Sequence, residues 1–197
     1  MDAMTRIRGI TQRDSLLARL AFFISRRLYG KVLQPLRVGA LDTRLLLACG
    51  HMELAQQRAR KMPRETKELA RMLAALQVNC PWCIDIGVLE SRKIGIPEAK
   101  LRALLDYERS ALFTQEEGVV LRYAQAMTQT PLRVPDDLFD ALKTSYTERQ
   151  IVELTFLIAW ENCVARFNHA LGIEADGVSG GASCLLPVEH HSSDEHI

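Results

Sequence analysis

Val78-Asn79-Cys80-Pro81-Trp82-Cys83-Ile84-Asp85-Ile86-Gly87 is the stretch on which the reading of this chain turns. Pro81 suits the first turn of a helix, because its missing N–H would be unpaired there anyway. Cys80 then stands at or beside the N-cap, where free N–H groups and the helix dipole favour a thiolate. Cys83 follows one turn later on the same face. Two thiols so spaced can close a small disulfide and reopen it. The stretch therefore predicts a helix, a break at Asn79, a second helix, and thiol redox chemistry at the break.

Working outward, the same reasoning predicts helices on both sides. On the N-terminal side, Pro63 opens a helix over 63–78, with Leu69, Leu73 and Leu76 on one side. Before it, apolar spacing predicts helices over 15–29, capped by Asp14 or Ser15 and closed by Gly30, and over 42–60, capped by Asp42 or Thr43. Residues 31–41 hold Pro35 and Gly39 and read as a loop with a short turn. Beyond the cysteine pair, the helix should run to about 93, with Gly95 as its stop. Pro97 opens a helix over 97–109 and Pro135 one over 135–145. Thr114-Gln115-Glu116-Glu117 and Thr147-Glu148-Arg149-Gln150 match capping boxes, so 115–129 and 148–171 should be helical. No run alternates with period two. The expected fold class is all-α, with an N-terminal helical extension over 1–30, a helical domain over 31–175 and a flexible tail over 176–197.

The composition agrees. Aromatic residues make up 6% of the 197, while Leu and Ala dominate, which favours helix over sheet. A net charge of +1 gives no electrostatic case for nucleic acid or an anionic membrane. No apolar stretch is long enough to cross a bilayer. Five cysteines, an odd number in a chain this large, read as one functional pair in a reducing cytoplasm, not as a disulfide framework. Cys49 and Cys163 fall within apolar helical stripes and read as core residues. Zinc needs about four ligands, and no second cysteine or histidine pair stands at ligand spacing, so no metal is expected. No flavin, haem or nicotinamide motif is visible, and no cofactor is expected. A shift of 83 residues aligns Glu65, Asn79 and Cys80 with Glu148, Asn162 and Cys163, which raises the possibility of a duplicated helical hairpin.

Glu68 stands twelve residues before Cys80 on the preceding helix. Glu68…Cys80-Pro81-Trp82-Cys83 on consecutive helices resembles the carboxymuconolactone decarboxylase superfamily, in its alkylhydroperoxidase D-like and peroxidase-related branch. Gly30-Lys31-Val32-Leu33-Gln34-Pro35-Leu36-Arg37 and Arg166-Phe167-Asn168-His169-Ala170-Leu171-Gly172 look similar to the same branch, so the resemblance spans about residues 30–175. It implies an all-helical domain assembling as a homo-oligomer (trimer, hexamer or dimer). It also implies a thiol peroxidase or disulfide reductase linked to a dithiol reductant or a peroxiredoxin, with Glu68 in a proton relay to the thiols. The pattern departs in one place. Peroxidase-type sites carry a histidine four residues after the second cysteine, and here that position is Gly87. Thiol–disulfide exchange survives this loss, since it needs only the pair and a thiolate.

His169, opposite Ile86 in the shifted alignment, is the candidate replacement base; His51 is a second. Trp82 reads as a cover over the thiols or a docking aromatic, Arg166 and Asn168 as substrate-binding or helix-end residues, and Asp85 as a surface or capping residue. The candidate catalytic set is Cys80, Cys83, Glu68 and His169. The order of attack stays open between the two cysteines. Two other functions remain: a lactone decarboxylase, against which the cysteine pair counts, and a non-enzymatic redox-responsive oligomeric module.

Overall fold

The computed structural model describes residues 5–10 and 15–180. The order of elements is α1 (Leu16–Tyr29), α2 (Gln34–Gly39), α3 (Thr43–Arg58), α4 (Arg64–Val78), α5 (Pro81–Ile94), α6 (Glu98–Arg102), a 3₁₀ turn (Leu104–Arg109), α7 (Gln115–Thr128), α8 (Asp136–Ser145) and α9 (Glu148–Ala170). There is no strand among the described residues. The all-α expectation holds, and the local signals that carried it are visible in the caps. The Ser15 and Asp42 side chains accept N–H groups at the starts of α1 and α3, and both capping boxes are closed, at Thr114/Glu117 and Thr147/Gln150.

α4 is the axis of the molecule. Thr66, Glu68, Leu69, Ala70 and every residue from Met72 to Leu76 are buried, because α5, α7 and α9 pack around it. The break expected at Asn79 is present, and α4 and α5 fold back on each other there as a hairpin. Asn79 adopts a left-handed conformation (φ 54°), and Cys80 N–H bonds to Ala75 O at 3.1 Å while Asn79 N–H bonds to Leu76 O at 3.0 Å. This is a Schellman closure with asparagine in the position that usually needs glycine. α9 lies parallel to α4: Lys67 pairs with Glu153 near their starts, and the Asn79 carbonyl lies 3.2 Å from His169 Nδ1 near their ends.

The structure corrects four expectations. α9 runs unbroken through Asn162 and Cys163, so no second hairpin mirrors the first; Asn162 bonds to Ile158 O within the helix and to Thr128 instead of ending a turn. Residues 31–41 contain α2, started by Pro35 in its first turn. The segment expected as a tail from 176 stays docked on α5 as far as Ser179, because the Asp85 carboxylate accepts Val178 N–H and Ser179 N–H, each at 2.9 Å, and Ser179 Oγ–H at 2.6 Å. Residues 181–197, with Cys184 and the tail histidines, lie outside the described residues. Finally, Cys49 and Cys163 are exposed, not in the core.

α1, α2 and α3 form a separate layer around Ala18, Phe22, Val32, Ala40 and Leu46. The opposite face of α1 turns Leu16, Leu20, Phe23 and Leu28 to the outside, each more than half exposed. Among the described residues no helix is long and apolar enough to cross a membrane.

Candidate functional site

Cys80 caps α5: its Sγ accepts the Cys83 N–H at 3.2 Å, and Pro81 occupies the first turn. The two cysteines are bonded as a disulfide, with Cα atoms 5.3 Å apart. They are nearly sealed, Cys80 at 0% and Cys83 at 4% exposure. Among the described residues, the polar side chain brought against both sulfurs is Asn168, from the last turn of α9. Its Nδ2 lies 3.6 Å from Cys83 Sγ and 3.9 Å from Cys80 Sγ. Asn168 is 1% exposed and its Oδ1 has no hydrogen-bond partner. A buried amide with its donor aimed at sulfur stabilises a thiolate over a thiol.

The neighbouring sequence candidates land elsewhere. His169, one residue on, faces outward and contacts the Asn79 carbonyl; it is exposed and holds the α4–α5 corner from outside. His51 is exposed on α3. Arg166 donates to the Thr128 carbonyl at 2.9 Å and to Asn162, so it ties α9 to the end of α7. The half-buried Trp82 indole donates to Asp176 Oδ2 at 2.9 Å, and Gln34 N–H donates to the same oxygen at 2.9 Å. Trp82 is thus fixed by the segment after α9. Asp85, expected at the surface or on a cap, is buried. Burial opposes its charge, but the Ser179 hydroxyl and the Ser179 and Val178 N–H groups outweigh it and hold the carboxyl below its usual range. Sequence reasoning missed this because the partners lie more than ninety residues away.

Glu68 is buried and gripped by Arg71: Nη2 donates to Oε1 at 2.7 Å and Nε to Oε2 at 3.2 Å. Ser91 Oγ on α5 lies 3.4 Å from Oε1. Ser91 is eight residues beyond Cys83, about 12 Å down the helix. Glu68 therefore faces the far end of α5. Gly87, where the family pattern has histidine, is packed closed: a Cβ added there would overlap the Met72 sulfur, and Met72 is itself fully buried.

A carboxylate that no motif announced completes the Arg71 cluster. Glu161, midway along α9, is buried, and its Oε1 has no hydrogen-bond partner. Burial pushes its carboxyl up to about 7; Arg71 opposes this, while Glu53 and Glu68 reinforce it. Burial alone would lower the Arg71 guanidinium, but Glu68 and Glu161 more than compensate and hold it above its ordinary value. The folded-state value of Glu161 exceeds the ~4.3 of an unfolded glutamate. Its contribution to stability is thus fully present below that value and lost as pH rises through about 7. Glu161→Gln, neutral at every pH, should match the wild type at pH 4 and exceed it by roughly 2–3 kcal/mol at pH 8. Urea denaturation at both pH values measures this, and an equal effect at the two would remove the assignment. Among the described residues no cluster of histidine, cysteine and carboxylate side chains could hold a metal ion.

No family model matches the chain. The uncharacterized protein YnjA of Escherichia coli (strain K12) is 31% identical over 173 residues, covering 87% of this chain and 92% of YnjA. Solved structures share the fold, two of them as follows. A cysteine-to-alanine variant of the debrominase Bmp8, in complex with 2,3,4-tribromopyrrole, superposes with a TM-score of 0.80 at 18% identity, over 92% of this chain and 98% of that one. An alkylhydroperoxidase AhpD core protein from Ralstonia eutropha JMP134, described as peroxidase-related, gives 0.70 at 14% identity, over 84% and 88%. The chain therefore belongs to the same family as YnjA, and its fold, with Glu68…Cys80-Pro81-Trp82-Cys83 on an α4–α5 hairpin, is the all-helical fold of the alkylhydroperoxidase D-like, peroxidase-related proteins.

Proposed function

We propose that the chain is a thiol–disulfide oxidoreductase that reduces hydroperoxides or partner disulfides through Cys80 and Cys83. The observation that carries this reading is the bonded pair at the α5 N-cap with the Asn168 amide donor against both sulfurs. One thiolate attacks the hydroperoxide, taking up one oxygen as a sulfenic acid while the alcohol leaves after protonation. The other thiol then displaces water and the disulfide closes; a cellular dithiol returns two electrons and two protons. Cys80 and Cys83 are buried, so in this reading the substrate reaches them through a local opening, for which the half-buried Trp82 is the neighbouring side chain. Glu68 acts from a distance in this reading, by holding Arg71 and the α4–α5 pairing. The outward face of α1, with Leu16, Leu20, Phe23 and Leu28, is the surface on which copies of the chain assemble.

The test is intact-mass analysis of the reduced chain after one equivalent of organic hydroperoxide, with Cys80→Ser and Cys83→Ser alongside. Expected are loss of two hydrogens in the wild type and gain of one oxygen in one of the single variants, which identifies the attacking cysteine. A wild type that stays dithiol with hydroperoxide and with a small disulfide would overturn the proposal. The same samples run through light scattering give the assembly state; a monomer removes the α1 contact. A brominated pyrrole belongs in the same assay. Bmp8 is named a debrominase, and the sealed apolar setting of Cys83, with Met72 filling the space at Gly87, suits an apolar electrophile.

A further inference from the structure

Cys49 and Cys163 are free, exposed and unused by the chemistry above. Their helices run antiparallel. Ala55, Gln56 and Ala59 of α3 share an open groove of about 260 Å³ with Arg149, Val152, Glu153 and Phe156 of α9. One rung along, Trp160 Nε1 donates to Glu53 Oε1 at 2.7 Å. Numbers fall on α3 as they rise on α9, so the next rung is Cys49, four residues before Glu53, and Cys163, three after Trp160. Consistent with this, burial and then the Cys163 thiol, with Glu53, push the Cys49 thiol above its ordinary value. α3 is thinly held, with Leu46 its one buried side chain.

We propose that Cys49 and Cys163 are a second redox pair, whose disulfide staples α3 to α9 on the outside of the molecule. The oxidant class is an organic hydroperoxide. One sulfur takes an oxygen from the peroxide and the alcohol leaves; the second sulfur displaces that oxygen as water, and the S–S bond forms. The dithiol loses two electrons and two protons, and the hydroperoxide is reduced to alcohol and water. The staple joins the N-terminal layer of α1, α2 and α3 to the core and leaves the Cys80–Cys83 pair untouched. It closes a loop of more than a hundred residues, so it raises the melting temperature by roughly 5–10 °C.

The experiment uses the full chain carrying Cys80→Ser, Cys83→Ser and Cys184→Ser, treated with cumene hydroperoxide and digested with trypsin without reduction. The expected product is a cross-linked peptide joining residues 45–58 to 150–166. The intact chain loses two hydrogens, and dithiothreitol reverses the rise in melting temperature. Separate oxidation of the two thiols, a link between two chains, or two thiols still open to alkylation would each overturn the proposal. The same digest of the wild-type chain covers the case in which the triple variant folds poorly, since the peptide pair is the same. A failure of the Cys80–Cys83 reading is seen on different peptides and leaves this result standing.

Discussion

Replacing Asn168 by alanine is expected to raise the apparent pKa of thiol alkylation in the reduced protein by about one unit, and aspartate by more. The amide is sealed and aimed at both sulfurs, with Nδ2 at 3.6 Å from Cys83 and 3.9 Å from Cys80. Its hydrogen bond strengthens when either sulfur becomes an anion. A hydrogen bond to a charged group contributes about 1.5–3 kcal/mol, which corresponds to roughly a ten- to hundredfold change in thiolate population at neutral pH. Aspartate at the same position turns donor into acceptor and adds a like charge beside the thiolate. The readout is the rate of iodoacetamide alkylation between pH 5 and 10, which a merely structural role would not shift. The two thiols titrate as a coupled pair, so the comparison is of whole profiles. Profiles that superimpose for wild type, Asn168→Ala and Asn168→Asp would remove Asn168 from the site.

Restoring the family histidine by Gly87→His is expected to damage the fold without creating a relay. Gly87 is buried in α5, and even a methyl group there would overlap the Met72 sulfur. Alanine is the sharper probe. In an open helix interior Gly→Ala gains up to about 1 kcal/mol. At residue 87 overpacking should reverse the sign and cost roughly 1–3 kcal/mol, with histidine costing more. For a chain of this length that lowers the melting temperature by several degrees. Met72→Ala combined with Gly87→His frees the volume and should recover part of the loss, bringing an imidazole one turn beyond Cys83. Faster peroxide reduction in the double variant than in Met72→Ala alone would follow. A Gly87→Ala chain more stable than the wild type would show that Met72 moves aside freely, and the argument for a plugged histidine position would fall.

The histidine question shows where reading the residues stopped short. That Gly87 breaks the peroxidase pattern is visible in the chain itself; that Met72 occupies the vacated space is not, because Met72 lies fifteen positions away on the other arm of the hairpin. His169 is the substitute that the 83-residue shift offers, opposite Ile86. A rotation of one residue, about 100° around the helix, puts Asn168 against the sulfurs and His169 outside. Such a phase is set by how α9 packs on α4 and α5. The apolar spacing of α9 does not reveal it, because the helix carries apolar residues on both its inner and outer faces. Cys49 and Cys163 are exposed for the same reason: an apolar stripe predicts a contact but does not say with what.

Local chemistry determined the rest. The Ser15, Asp42, Thr114 and Thr147 caps, the left-handed Asn79, and Cys80 at the head of α5 before Pro81 all rest on hydrogen bonds spanning five residues or fewer, so the sequence alone establishes them. The all-α class and the placement of the Cys80–Cys83 pair follow from those. The Asp85 anchor for residues 178–179, the raised carboxyl of Glu161, the grip of Arg71 on Glu68 far from the thiols, and the amide over the sulfurs needed the tertiary structure. The Arg71 grip is local, but its distance from the thiols is a matter of packing, and the other three join groups 85 or more residues apart. Burial and desolvation, which set the charge state of each such group, exist only once distant helices have closed around it.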